Sequence, residues 1–116
     1  MRNEQDALSL VRASLKEDEE VRQSLFGTVH LPFMSARRKR KGLLVATNQR
    51  LAFYTQQFGT ETFEPYDYKE IDAVETRHHY AHGQQVVVQQ DGQEQILSAI
   101  ESANIFDCVN FIQQKI

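Results

Sequence analysis

Lys41-Gly42-Leu43-Leu44-Val45-Ala46-Thr47-Asn48-Gln49-Arg50-Leu51-Ala52-Phe53-Tyr54 decides the fold. The stretch reads as a strand, a two-residue polar turn and a second strand. Leu43 to Thr47 is a nearly unbroken apolar run, which suits a strand buried on both faces or one closing a barrel. Asn48-Gln49 supplies the turn, since asparagine tolerates the left-handed backbone that such turns use. In Leu51 to Thr55, Leu51 and Phe53 face one way and Ala52 and Tyr54 the other. Five consecutive cations, Arg37-Arg38-Lys39-Arg40-Lys41, lead straight into this hairpin.

Working outward, the two-residue period continues on both sides. Val21, Gln23, Leu25, Gly27 and Val29 share one side of a strand over 21–30, which Pro32 ends because proline has no amide for the ladder. A short strand over 60–63 is closed by Pro65-Tyr66, and alternation resumes over 71–76. Loop is expected from His78 to Gly83. Val86-Val87-Val88 centres a β-branched strand over 85–89, and Asp91-Gly92 is the strongest hairpin turn in the chain. The last strand runs over 95–99.

At the two ends the period changes to that of a helix. Leu8, Val11 and Leu15 form an apolar stripe over 4–16, with Glu4 and Asp6 near the start, where negative charge suits the helix dipole. The acidic run Glu17-Asp18-Glu19-Glu20 reads as a solvated turn. Ser102 is the expected N-cap of a closing helix whose stripe is Ile105, Val109, Ile112 and Ile116. The expected fold class is α+β, mainly β. One domain over 1–116 holds an N-terminal helix (1–16), about seven strands (21–99) and a C-terminal helix (102–116). Short strands joined by tight turns favour a sandwich or barrel, and the final helix needs an open end to cover.

With 116 residues, 41% of them hydrophobic and 25% charged, this is an ordinary globular composition and not a disordered one. No apolar run approaches the roughly 18 residues of a membrane span, no secretory leader is expected, and the one cysteine, Cys108, fits a reducing compartment. A cytoplasmic address follows as the expectation. Net charge is -3; without the five cations at 37–41 it becomes -8, 8 positive against 16 negative. A small electropositive patch on an acidic chain argues against a nucleic-acid coat.

Lys41 to Phe53 resembles the G-x-L-x-x-T-x-x-R-L-x-F hairpin of the bacterial PH-like (YokE-like) domains. Phe63-Glu64-Pro65-Tyr66-Asp67-Tyr68-Lys69-Glu70-Ile71-Asp72-Ala73-Val74 resembles their x-F-x-Y-x-x-I-x-x-V segment. The resemblance spans about 17–116. It implies a PH-like, seven-stranded antiparallel, partly open barrel capped by the C-terminal helix, with the N-terminal helix packed outside. It further implies a non-catalytic binding module for proteins or anionic lipid headgroups.

In lipid-binding PH domains the loop between the first two strands holds the headgroup. Arg38 and Arg40 are similar to part of that pattern, and arginine grips phosphate through paired hydrogen bonds. Two positions depart from it: His30 replaces a lysine at the end of the first strand, and Leu43 to Thr47 carries no cation. Arg37, Arg38, Lys39, Arg40 and Lys41 are therefore the candidate anion- or lipid-binding residues, compatible with a place at a membrane surface. The alternative is a solvated loop, and the leading expectation is a protein-interaction or assembly module.

His78, His79 and His82, near Asp72 and Glu75, could serve zinc only if a distorted loop brought them together, because neighbours on a strand point to opposite faces. No metal or cofactor is expected. Cys108 reads as a small core hydrophobe. Phe33, Phe53 and Tyr54 flank the cations, but Phe53 reads as core and nucleic acid is not expected. Leu10 and Phe111 lie off their helix stripes and suggest a self-association surface. No catalytic constellation stands out, so no enzyme is expected.

Overall fold

The computed structural model describes residues 3–31, 40–57 and 59–116. Helix α1 (Glu4–Val11) is followed by a 3-10 turn, Arg12–Ser14. Seven strands follow: β1 (Val21–His30), β2 (Arg40–Thr47), β3 (Arg50–Gln57), β4 (Thr60–Asp67), β5 (Ala73–His79), β6 (Gly83–Gln90) and β7 (Gln93–Ser98). Helix α2 (Ile105–Lys115) closes the chain. The strands form one antiparallel sheet in the order β4-β3-β2-β1-β7-β6-β5, with β4 and β5 as its free edges.

The sheet buries both faces. On the inner face Leu25, Leu44, Phe53, Val86, Val88 and Leu97 pack with Cys108, Val109 and Ile112 of α2. On the outer face Phe26, Leu43, Val45 and Tyr54 pack under Ala7 and Val11 of α1. Leu43, Leu44, Val45 and Ala46 are all fully buried because each alternate pair meets a different helix. That is the physical cause of the unbroken apolar run.

Several expectations meet corrections. The α-helix stops at Val11 and tightens into the 3-10 turn Arg12–Ser14 before Leu15 becomes extended; beyond it the Lys16 amide donates to the Glu19 carboxylate and Asp18 takes a left-handed φ of 63°, which turns the chain. A bulge between Val21 and Gln23 transfers Val21 to the outer cluster, so it does not share a face with Leu25. Asn48 is not left-handed; its side chain accepts from Glu20 N and donates to Asp18 O, and Thr47 Oγ1 accepts from the Gln49 and Arg50 amides. Pro65 does not end β4, since an edge strand tolerates a residue without an amide.

Ser102 does not cap α2, whose N-cap is Asn104 with no side-chain capping bond. Instead the Ser102 hydroxyl accepts from Phe26 N and donates to Glu4, which also accepts from Ser24 Oγ. Glu4 thus ties α1 to β1 and to the segment before α2. Asp91 (φ 53°) and Gly92 (φ 75°) are both left-handed, as the Asp-Gly hairpin requires.

Gly42 is demanded by close approach. A Cβ there would lie 2.5 Å from Tyr54 O, 2.7 Å from Val29 Cγ2 and 2.8 Å from Thr55 Cγ2. Leu10 and Phe111 are covered inside the chain, Leu10 against the outer cluster and Phe111 against the inner one. Both are half-buried, so part of each side chain remains at the surface.

Candidate functional site

Strand β2 begins at Arg40, earlier than the apolar pattern suggests, so two of the five candidate cations belong to the sheet. Arg37, Arg38 and Lys39 lie outside the described residues. Arg40 is directly opposite Val29, a core residue, and therefore sits on the inner face. Lys41, one residue on, faces outward opposite Thr28. The alternation of the strand divides the pair, which the composition of the run concealed.

Each of the two has its own environment. Lys41 is ion-paired with Glu101, and its ammonium sits 5.3 Å from the Phe26 ring centroid. Arg40 Nε is buried without a hydrogen-bond partner among the described residues. Gly42 faces Thr55, so Arg40 and Thr55 are diagonal neighbours on the inner face, and Thr55 Oγ1 is likewise buried and unpartnered. His30 closes β1 on the outer face opposite Ile96, with Nε2 buried and unpartnered.

The histidines lie mostly in strand and not in loop. His78 faces Gln84 and His79 faces Gly83. His79 Nδ1 accepts from the amides of Ala81 (3.0 Å) and His82 (3.2 Å), and its ring stacks on Tyr80 and His82. His79 Nδ1 is thereby engaged in closing the turn. Among the described residues no group of three metal-ligating side chains comes together.

Cys108 is fully buried, and burial, with the Glu4 charge adding to it, pushes its thiol up to about 12. Such a thiol is a core group and not a nucleophile. Phe53 and Tyr54 are fully buried and offer no stacking platform.

The acidic run holds a residue that the sequence reading missed. Glu19 has a fully buried side chain. Its carboxylate accepts from Arg50 Nε (2.9 Å), Arg50 Nη2 (3.0 Å), Thr47 Oγ1 (2.7 Å) and Lys16 N (2.8 Å). Burial pushes the carboxyl up, but these donors more than offset it and hold it below its usual range. The matching arginine, Arg50, was in the hairpin motif all along.

A cleft beside β4 had no signal in the local sequence. It occupies about 340 Å³ between β4, the Tyr68–Glu70 turn and the β6–β7 hairpin, and its charged lining residues are Glu64 and Glu70. Tyr66 beside them is pushed up to about 12, first by burial and then by those two charges. Among the described residues no helix is long and apolar enough to cross a membrane.

A family model described as the bacterial PH domain matches residues 15–114. The chain is similar to the C-terminal domain of an unknown protein from Leishmania infantum, at 12% identity over 97% of each chain and a TM-score of 0.69. It is also similar to a DUF1696 family protein with a pleckstrin-homology domain from Shewanella loihica, at 13% identity over 97% of this chain and 92% of that one, TM-score 0.65. A pleckstrin homology domain from Shewanella amazonensis aligns over 95% of both chains at 16% identity and a TM-score of 0.59. No curated protein matches the chain. At these identities the structural likeness is one of fold.

Proposed function

Because this chain belongs to the bacterial PH domain family, we propose that it is a non-catalytic binding module, one unit over 1–116, that mediates protein–protein interaction or assembly in the cytoplasm. Domains of this fold generally bind rather than catalyse, and residues, not fold, set the ligand. One observation carries the choice of a protein partner. Four of the nine described cations are already held by carboxylates of the same chain: Arg22 by Glu20, Lys41 by Glu101, Arg50 by Glu19, and Arg77 by Glu75 and Glu94. An anionic membrane would have to compete with those partners on a chain of net charge -3.

The second reading is peripheral binding of anionic lipid or phosphate through Arg37, Arg38, Lys39, Arg40 and Lys41. What favours it is the unpartnered pair on the inner face, Arg40 Nε and Thr55 Oγ1, two polar atoms that an anion would satisfy. Flotation with phosphatidylglycerol vesicles, for the chain and a variant neutralised at 37–41, decides between them. The expected result is no flotation by either protein at physiological salt. Flotation lost on neutralisation and weakening as salt rises would replace the first reading with the second.

A further inference from the structure

The open side of the sheet carries the stronger unassigned site. Glu64 is paired with Phe53 and Tyr66 with Leu51, so both lie on the inner face of edge strand β4. Gln95 is paired with Val88 and lies on the inner face of β7. The cleft brings these three together across the gap between β4 and the β6–β7 hairpin.

Gln95 is the telling residue. It is 1% exposed, it lines the cleft, and its Oε1 is buried with no hydrogen-bond partner among the described residues. A leucine would serve a closed core better, because a buried carbonyl oxygen without a donor is unfavourable. Glu64 has no hydrogen bond or ion pair among the described residues, and one oxygen of Glu70 accepts from the Asp67 amide. Both carboxylates line the cleft beside Tyr66. No cation lines this cleft among the described residues; Lys16 and Arg50 line the adjacent one beyond Pro65 and Glu70, where Glu19 holds Arg50.

We propose that this cleft binds the guanidinium group of an arginine side chain presented by a protein partner. The cleft offers negative charge and acceptor oxygens, so the ligand must bring positive charge and donors. Two carboxylates are too few for a dedicated metal site, and none forms among the described residues. A guanidinium is planar, weakly hydrated and carries five donors, and it can lie against the Tyr66 ring, whereas an ammonium is compact and strongly hydrated. A volume of 340 Å³ is at the small end of ligand sites, suited to one side chain and not a length of peptide. The inference rests on the protein-binding reading above for the source of the arginine.

The test uses the full chain and a blocked pentapeptide with one central arginine, followed by the side-chain amide signals of Gln90, Gln93 and Gln95 in nitrogen-edited NMR at low salt. The same peptide with citrulline, which has the shape without the charge, is the control. The arginine peptide should move those signals, and Glu64→Gln should weaken binding about tenfold, the loss of one charge-assisted contact. Gln95→Leu should also weaken binding while raising the unfolding temperature of the free protein, which separates a ligand role from a folding role. Equal binding of the citrulline or a lysine peptide, unmoved signals at saturation, or undiminished affinity in both variants would overturn the assignment. Because the probe is a peptide, failure here leaves the protein-binding reading standing, and vesicle flotation tests that reading separately.

Discussion

Glu19→Gln is the most informative perturbation. The substitution keeps the shape and one acceptor oxygen but places an amide donor either against Arg50 Nε and Thr47 Oγ1 or against Arg50 Nη2 and the Lys16 amide, all of which now donate to the carboxylate. Glu19 is fully buried and the Arg50 side chain is 14% exposed, so water can replace little of what is lost. Breaking one partner of a buried pair costs about 3–5 kcal/mol. Retention of one acceptor puts the expected loss at the lower end, about 3 kcal/mol. For 116 residues the unfolding entropy is about 0.24 kcal/mol/K, so the midpoint should fall by about 12 °C.

The pH dependence gives an independent check. The folded pKa of Glu19 lies below its ordinary value of 4.5. Its stabilisation is therefore present above that value and lost as pH falls through the lower, folded one. Urea unfolding of both proteins at neutral pH and in acid should show a gap that narrows below pH 4.5. A neutral-pH difference under about 1 kcal/mol, or one that stays constant into acid, would refute the account of Glu19 as the charged centre of the β2–β3 turn.

Gly42→Ala should destabilise by about 1–3 kcal/mol in urea unfolding, since its Cβ would meet the Tyr54 carbonyl and two core methyls. His79→Ala should leave the fold intact, cost about 1 kcal/mol and speed hydrogen exchange at the amides of Ala81 and His82, which lose their shared acceptor. Cys108 should react with a thiol reagent only at the rate of unfolding, because its thiol is buried and pushed up to about 12; prompt labelling of the native protein at pH 8 would contradict its place under α2.

Period and turn chemistry are local properties, and they carried the topology. A two-residue repeat, an Asp-Gly hairpin and a helical stripe over Ile105, Val109, Ile112 and Ile116 were enough for seven strands and a plug, although Ile116 stays exposed at the end of the helix. Strand limits were less legible. β2 starts at Arg40 because pairing to β1 continues through polar residues, and β4 runs past Pro65 because nothing pairs on its far side.

The division of labour at the sites has one physical reason. Hydrophobic alternation reports which face of its own strand a residue takes, and that requires only its neighbours in sequence. Pairing of charges and convergence of polar groups require residues distant in sequence to meet. Glu19 looked solvated within its acidic run until Arg50, 31 positions away, was folded onto it. The five-cation segment looked like one patch until the pleat set Arg40 inward and Lys41 outward. Glu64 and Gln95 had no visible relation until the open sheet set them on one cleft. The chain alone determined that it would form a helix-capped sheet of seven strands; its folding in three dimensions decided which charged and polar groups remain available to a partner.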